Sequence, residues 1–184
     1  KTAATKRPSL VDIHGTSGVG KTTLADRFLR DWKNDHPETA VLRGRCHETE
    51  SVPYKALDGV VDELVPWLEQ LPDDELETLL GDRARALAQL FPVLGQLDSV
   101  FQAQRVTDVV PEAQLRHEAF TGLARLLHRL ADERHVIVFI DDAQWGDEDS
   151  VRLLEPLLER DQPPAFMLVT TWRADDVDAS PFLE

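Results

Sequence analysis

Residues 15–22 read Gly-Thr-Ser-Gly-Val-Gly-Lys-Thr, and this stretch decides the predicted fold. It matches the whole pattern G-x-x-x-x-G-K-[ST], in which a glycine-rich turn joins a strand to a helix and cradles phosphate. Glycine reaches backbone conformations that other residues avoid, so successive N–H groups can converge on an anion. The helix that begins near Lys21 adds its positive N-terminal end. The predicted nucleotide-binding residues are Gly15, Thr16, Ser17, Gly18, Val19, Gly20, Lys21, Thr22 and Thr23.

Two side chains of this loop have predicted roles of their own. Lys21 is expected to place its ammonium group near the β- and γ-phosphates of a nucleotide. The hydroxyl of Thr22 is expected to bind the Mg²⁺ ion that accompanies those phosphates. The loop therefore predicts a magnesium–nucleotide site at the start of the first helix.

Apolar runs on both sides of the loop predict alternating strands and helices. The predicted strands are residues 10–14, 40–45, 136–140 and 166–171, and the predicted helices are 21–34, 53–70 with a break near Pro66, 73–80, 82–91, 112–132 and 149–160. Residues 95–110 are ambiguous. Alternation of this kind is typical of an α/β fold with a parallel sheet. The uninterrupted apolar run 136–140 predicts a strand that is buried on both faces, as in such a sheet. We expect one domain over 1–184, with a core at 8–52 and 112–182 and a helical insert at about 53–110.

Four charged residues near predicted strand ends are candidates for the site. One is expected to bind the metal ion, and the other three are candidates for a role in ATP hydrolysis. Asp141 ends the run 136–140, at the sheet edge where ligands bind, and is expected to hold Mg²⁺ through water. Asp142 is the leading candidate to position the attacking water, and the alternative is that it caps the following turn. Glu48 is a rival for that role or an exposed loop carboxylate. Arg173 reaches a γ-phosphate if its strand neighbours the loop strand, and otherwise is a surface arginine.

Composition narrows the class of protein. The chain has 184 residues, with 20 basic and 34 acidic side chains and a formal charge of −14, which argues against nucleic acid as the main partner. Its single cysteine, Cys46, excludes an intrachain disulfide and favours a reducing compartment. No apolar run is long enough to predict a membrane span. We expect a fragment of a longer cytoplasmic protein.

The six histidines show no sequence spacing that is typical of a metal site. They are His14, His36, His47, His117, His128 and His135.

Beyond the phosphate loop, two motifs carry a resemblance to a known family. They are Asp141-Asp142-Ala143-Gln144-Trp145 after the acidic strand and Thr170-Thr171-Trp172-Arg173 at the last strand. The chain resembles, over about residues 8–182, the signal-transduction ATPases with numerous domains (STAND), a regulatory branch of AAA-like P-loop ATPases. The ATPase modules of large LuxR-type transcription regulators and of kinase-fused bacterial regulators are the most similar groups. The stretch Arg45-Cys46-His47-Glu48 and the run from Ser51 to Leu57 are similar to the kinase-fused group.

This resemblance implies a three-layer P-loop NTPase sheet, with the last strand inserted between the loop strand and the acidic strand. It supports Arg173 as a phosphate sensor. It also implies that ATP, ADP and Mg²⁺ are the ligands, and that hydrolysis is slow. In such a switch ADP holds a closed monomer and ATP permits assembly, so the expected partners are other domains of the polypeptide and a homo-oligomer. We expect the family's helical lid and flanking domains to lie outside this fragment.

Two other functions remain open at this point. A small-molecule or nucleotide kinase needs an arginine-rich lid over the transferred phosphoryl group, whereas the insert 53–110 is leucine-rich and acidic. A non-hydrolysing interaction module would retain the fold, but Lys21, Asp141 and Asp142 are all present. A GTPase is disfavoured because the chain lacks an Asn-Lys-x-Asp guanine-binding motif.

Overall fold

The computed structural model of the protein describes residues 8–48, 53–97, 111–159 and 164–183. The strands are β1 (Ser9–Gly15), β2 (Ala40–Arg45), β3 (Val136–Asp141) and β4 (Phe166–Arg173), and the α-helices are α1 (Lys21–Asp35), α2 (Lys55–Asp62), α3 (Val65–Leu68), α4 (Asp73–Leu80), α5 (Arg83–Leu90), α6 (Glu112–Glu133) and α7 (Glu148–Glu159). Short 3₁₀ helices cover Pro92–Gln96, Ala143–Trp145 and Ala174–Ala179.

The four strands form one sheet in the order β1-β4-β3-β2, and every neighbouring pair is parallel. The predicted α/β fold with a parallel sheet is confirmed, and β4 lies between the loop strand and the acidic strand as the resemblance implied. All six residues of β3 are buried, as its continuous apolar run predicted. Since parallel strands end at one edge, Gly15, Asp141 and Arg173 all lie at the carboxyl edge of the sheet.

Helices cover both faces of this sheet. On one face, Ala25 and Leu29 of α1 pack against Ile137, Phe139 and Val169. On the opposite face, α2 approaches β2 at a glycine.

The two backbones come close because each has a glycine at the contact, Gly44 on β2 and Gly59 on α2. A Cβ at Gly44 would lie 2.2 Å from the carbonyl oxygen of Ala56, and a Cβ at Gly59 would lie 2.7 Å from that of Arg43. Gly44 alternates with Arg43 along β2, so the two residues face opposite sides of the sheet. The two glycines therefore allow α2 to pack directly on the strand.

Contacts between residues divide the chain into two compact units. The first consists of residues 1–60 and 130–184, and the second of residues 61–129. The second unit is helical, and its helices meet through specific pairs. Arg129 Nε of α6 lies 2.5 Å from Glu75 Oε1 of α4, and Arg83 Nε of α5 lies 3.2 Å from Glu118 Oε2 of α6. Through such contacts, α6 up to residue 129 belongs with the helices of the predicted insert, although the sequence analysis placed it in the core. The single-domain assignment stays a prediction.

Several predicted boundaries shift in the structure. The predicted helix over 53–70 divides into α2 and α3, and the break falls just before Pro66, which lies in the first turn of α3. Arg173 is the last residue of β4 rather than a residue beyond it. The predicted core residues 49–52, most of the ambiguous stretch (98–110) and the predicted helix end at Arg160 lie outside the described residues.

Candidate functional site

The glycine-rich loop connects β1 to α1 with the backbone geometry that its pattern predicts. Gly18 has a φ of 76° and Gly20 a φ of 99°, in the region that favours glycine. Gly20 is also the N-cap of α1, so the loop runs directly into the helix N-terminus. The Nζ of Lys21 donates to the carbonyl oxygens of Gly15 at 3.1 Å and Thr16 at 3.0 Å. The ammonium group therefore folds back over the loop, where an incoming phosphate would compete for it.

The expected metal ligands, Thr22 and Asp141, meet directly. Thr22 Oγ1 donates to Asp141 Oδ1 at 2.9 Å. Thr171 Oγ1, on β4, donates to the same carboxylate oxygen at 2.5 Å. The side chain of Asp141 is only 6% exposed, and its second oxygen lies 3.9 Å from Arg45 Nε. A hydroxyl and a carboxylate converging at a helix N-terminus form an oxygen ligand set that suits Mg²⁺.

Asp142 has a left-handed backbone conformation, with a φ of 54°. Its N–H donates to Thr171 Oγ1 at 3.0 Å, which ties it to β4. Its carboxylate accepts from Arg45 Nη2 at 3.2 Å and from Gln144 Nε2 at 3.2 Å. Both side-chain oxygens thus have partners, and the side chain is 21% exposed. The prediction that Asp142 positions water stays a prediction.

Arg173 lies beside the phosphate loop, because it pairs with Gly15 in the β1–β4 register. Its N–H donates to Gln144 Oε1 at 3.1 Å. The guanidinium lies 5.9 Å from the centre of the Trp145 ring, and Nη1 lies 3.9 Å from Asp176 Oδ2. The strand neighbours required for a phosphate sensor are therefore present, whereas the sensing role stays a prediction.

Glu48 follows β2 in an exposed turn. Its proposed role as an alternative water activator stays a prediction. Asp147, in contrast, has a clear local role, since it accepts from the N–H of Ser150 at 2.9 Å and from the N–H of Tyr54 at 2.9 Å. Asp147 therefore caps the start of α7 and ties it to the segment before α2.

Cys46 is buried immediately after β2, and its N–H donates to the carbonyl oxygen of Asp141 at 3.0 Å. Burial raises the pKa of its thiol from 9.0 to about 12. The carboxylates of Asp147, Asp142 and Asp141 add smaller contributions in the same direction, and Lys55 opposes them. The thiol therefore stays protonated at neutral pH and is a poor nucleophile in the folded protein.

Three residues at the site received no role from the sequence. Thr171 joins the two aspartates to β4, Gln144 joins Asp142 to Arg173, and Arg45 lies against both carboxylates. Gln144, Thr171 and Arg45 all stood in the stretches that carry the family resemblance. Those stretches and their positions near strand ends were the signals in the sequence, but neither identifies their partners, several of which come from distant parts of the chain.

The structure also brings together two histidines that sequence spacing left apart. His36 and His135 lie beside Glu38, with one potential ligand atom from each residue all within 4.8 Å of one another. The spacing of these histidines in the sequence did not indicate this group. The reason is topological, because His36 follows α1 and His135 precedes β3, and parallel packing brings these two chain segments together.

Comparison with known protein families identifies the family of this chain. A sequence model of the AAA ATPase domain family matches residues 1–169. The chain belongs to the AAA ATPase domain family. This membership assigns nucleotide binding and ATPase activity to the domain, and AAA ATPase domains generally bind ATP or ADP with Mg²⁺. Comparison with curated proteins finds no significantly similar relative. Among the described residues of this AAA ATPase domain, every helix is too short or too polar to span a lipid bilayer.

Proposed function

We propose that this AAA ATPase domain is a Mg²⁺-dependent nucleotide switch that hydrolyses ATP slowly, within a larger signal-transduction or transcription regulator of the STAND type. Nucleotide is bound by residues 15–23, Mg²⁺ by Thr22 and Asp141, and the attacking water is positioned by Asp142. Arg173 senses the γ-phosphate. The STAND assignment rests on the motifs that extend beyond the phosphate loop, which are the acidic strand end and the end of β4.

The observation that carries the proposal is a continuous set of hydrogen bonds from the metal carboxylate to the phosphate-sensing arginine. Thr171 Oγ1 links Asp141 to the N–H of Asp142, and Gln144 links the carboxylate of Asp142 to the N–H of Arg173. Gln144 is 2% exposed, so its two bonds are shielded from water. A change in metal or phosphate occupancy would therefore reach the segment after β4.

The partners of Asp142 also support slow turnover. Arg45 Nη2 and Gln144 Nε2 occupy its two carboxylate oxygens. A carboxylate oxygen has two acceptor positions, so a water molecule must share Asp142 with Arg45 and Gln144, which restricts where that water can lie. Slow hydrolysis suits a switch, because the ATP-bound state must persist long enough to be read by other domains or by a second copy of the chain.

Phosphate-release measurements distinguish this proposal from its alternatives. We expect slow, Mg²⁺-dependent phosphate release that does not change when small-molecule hydroxyl acceptors are added. A phosphorylated acceptor would favour a kinase. Tight ATP binding without phosphate release over many hours would favour an interaction module that does not hydrolyse.

A second measurement tests the switch itself. Hydrogen exchange of residues 174–183 should differ between the ATP-bound and ADP-bound states, because Arg173 precedes this segment. Gln144→Ala should leave ATP affinity within about threefold and reduce that difference, since it removes a neutral hydrogen-bond link rather than a phosphate contact. Gln96→Ala, on the exposed Gln96 of the helical unit, is the matched control. Equal exchange in the two nucleotide states of the wild type would contradict the proposal.

A further inference from the structure

We propose that His36, Glu38 and His135 form a binding site for a divalent transition metal of the Zn²⁺ class, separate from the magnesium–nucleotide site. These three residues are called the His–Glu–His cluster below. One ligand atom from each of the three lies within 4.8 Å of the others. The two imidazole rings have centroids 5.4 Å apart and are inclined at 64°. His36 is half-buried, and Glu38 and His135 are exposed.

The backbone around the cluster is held by hydrogen bonds that fix where its side chains start. The N–H of His36 donates to the carbonyl oxygen of Trp32 at 2.8 Å and ends α1. The carbonyl oxygen of His36 accepts from Thr39 at 3.0 Å, and that of His135 accepts from Ala40 at 2.8 Å. The His36 and His135 backbones are therefore both tied to the start of β2.

Trp32 supports the cluster from one side. Its ring centroid lies 4.8 Å from that of His36 and 6.1 Å from that of His135. Its Nε1 donates to Thr39 Oγ1 at 3.2 Å, and Thr39 is fully buried. Packing against a fixed indole limits the rotation of both imidazoles, which lowers the entropy that metal binding has to remove.

The donor set selects the class of metal. Two imidazoles with one carboxylate suit Zn²⁺ and its chemical neighbours, whereas Mg²⁺ prefers oxygen ligands alone. Tetrahedral Zn²⁺ with bonds of about 2.0–2.1 Å places its ligand atoms ~3.3 Å apart. The ligand atoms of the cluster lie within 4.8 Å of one another, and small side-chain rotations would bring them to that spacing.

A cavity of about 470 Å³ adjoins the cluster and leaves room for a fourth ligand. Glu38 and His135 line it, together with Trp32, Phe166 and Met167. Three protein ligands and one open position are the arrangement of accessible zinc sites rather than closed structural ones. A water molecule or a small anion is the ligand class that would complete the coordination.

The cluster lies at the opposite ends of the two elements that build the nucleotide site. His36 follows the 15-residue helix α1, which begins at Lys21, so the helix separates the two sites by about 22 Å. His135 precedes β3, which ends at Asp141. A bound metal would cross-link the end of α1 to the start of β3. Because the metal would bind only the folded state, it would stabilise that state by mass action.

Cobalt spectroscopy on tag-free, nucleotide-free protein tests the site directly, with Co²⁺ as the probe. We expect visible d–d bands that saturate at one Co²⁺ per chain and disappear when Zn²⁺ displaces the Co²⁺. His36→Ala and His135→Ala should each weaken Co²⁺ binding at least about tenfold, because each removes one of three protein ligands. Glu38→Gln should weaken it as well and keeps the size of the side chain. His117→Ala, on an exposed histidine of α6, should bind Co²⁺ like the wild type.

Circular dichroism of each variant shows whether it is folded, and Glu38→Gln keeps the test decisive if a histidine variant is not. A rise in the thermal midpoint with Zn²⁺, lost in the cluster variants, would support the site by an independent readout. Absence of the bands in the wild type would overturn the proposal. So would equal binding in wild type and folded cluster variants, or intense sulfur-to-cobalt charge-transfer bands that assign the metal to Cys46.

Discussion

Thr22 Oγ1 donates a hydrogen bond to Asp141 Oδ1 at 2.9 Å, although 119 positions separate the two residues in the chain. The contact exists because Thr22 lies in the first turn of α1, at the end of the phosphate loop, while Asp141 ends β3 at the same edge of the sheet. Thr171 Oγ1 donates to the same oxygen of Asp141. Three oxygen-bearing groups from three elements thus converge beside the loop that carries Lys21.

Removal of the loop ammonium should abolish nucleotide binding or weaken it severely. Lys21→Ala should reduce ATP affinity at least about tenfold, since charge-assisted contacts to phosphate are among the strongest hydrogen bonds in proteins. Lys33→Ala is the matched control, because Lys33 lies on the last turn of the same helix. Calorimetry measures both affinities, and equal ATP affinity in Lys21→Ala and wild type would contradict the assignment.

The two candidate water-activating carboxylates can be separated by turnover. Asp142→Asn should leave ATP binding within about threefold of wild type and reduce phosphate release at least about tenfold, the lower end for a positioned acid–base group. Glu48→Gln should have almost no effect, because Glu48 lies in an exposed turn. The measurement is steady-state phosphate release at saturating MgATP.

The opposite pattern would exchange the two roles. If Glu48→Gln stops hydrolysis while Asp142→Asn does not, Glu48 activates the water. If neither variant changes turnover, neither carboxylate is required within this chain, and the assignment of Asp142 is wrong.

The close approach of α2 to β2 predicts a strong effect of one added methyl group. Gly44→Ala should lower the free energy of unfolding by about 1–3 kcal/mol, because its Cβ meets the backbone of Ala56, which cannot rotate away. Gly95→Ala is the control, since a Cβ at that position has no heavy atom within 4 Å. Urea unfolding measures both values, and equal stability of the two variants would contradict the packing described.

Much of this architecture could be predicted from the sequence, because its strongest signals are local. The phosphate loop specifies its own glycine conformations and the start of α1. The apolar run before Asp141 is long and uninterrupted enough to predict a strand buried on both faces. Both predictions rest on residues that are adjacent in the chain, and the structure confirms both elements.

Contacts between distant segments could not be predicted in the same way. Arg45 lies against Asp142 only because β2 pairs with β3, and nothing in the local sequence of Arg45 indicates this neighbour. The same applies to His36 and His135. They meet because β2 and β3 are neighbours in the sheet, and their separation in the sequence does not indicate it. The left-handed backbone of Asp142 also lacked a signal, since no glycine marks the turn there.

The buried thiol of Cys46 predicts a pH dependence of stability. Burial keeps the pKa of this thiol near 12 in the folded protein, against 9.0 ordinarily. Above pH 9.0 the unfolded chain releases the thiol proton while the folded chain retains it, so stability falls as the pH rises toward 12. Cys46→Ala should show a shallower decline in unfolding free energy over this range. Parallel curves for the two proteins would contradict the prediction.

The most direct test of the magnesium–nucleotide site is the metal dependence of ATP affinity in Asp141→Asn. The substitution retains an oxygen that can accept from Thr22 and Thr171 but removes the charge that holds hydrated Mg²⁺. Calorimetric titration with ATP, with Mg²⁺ and then with chelator, should show a loss of at least about tenfold only when Mg²⁺ is present. Asp31→Asn, on the exposed side of α1, should behave like the wild type in both conditions. An equal loss of affinity with and without Mg²⁺, or no loss in either condition, would contradict the assignment of Asp141 as the metal carboxylate.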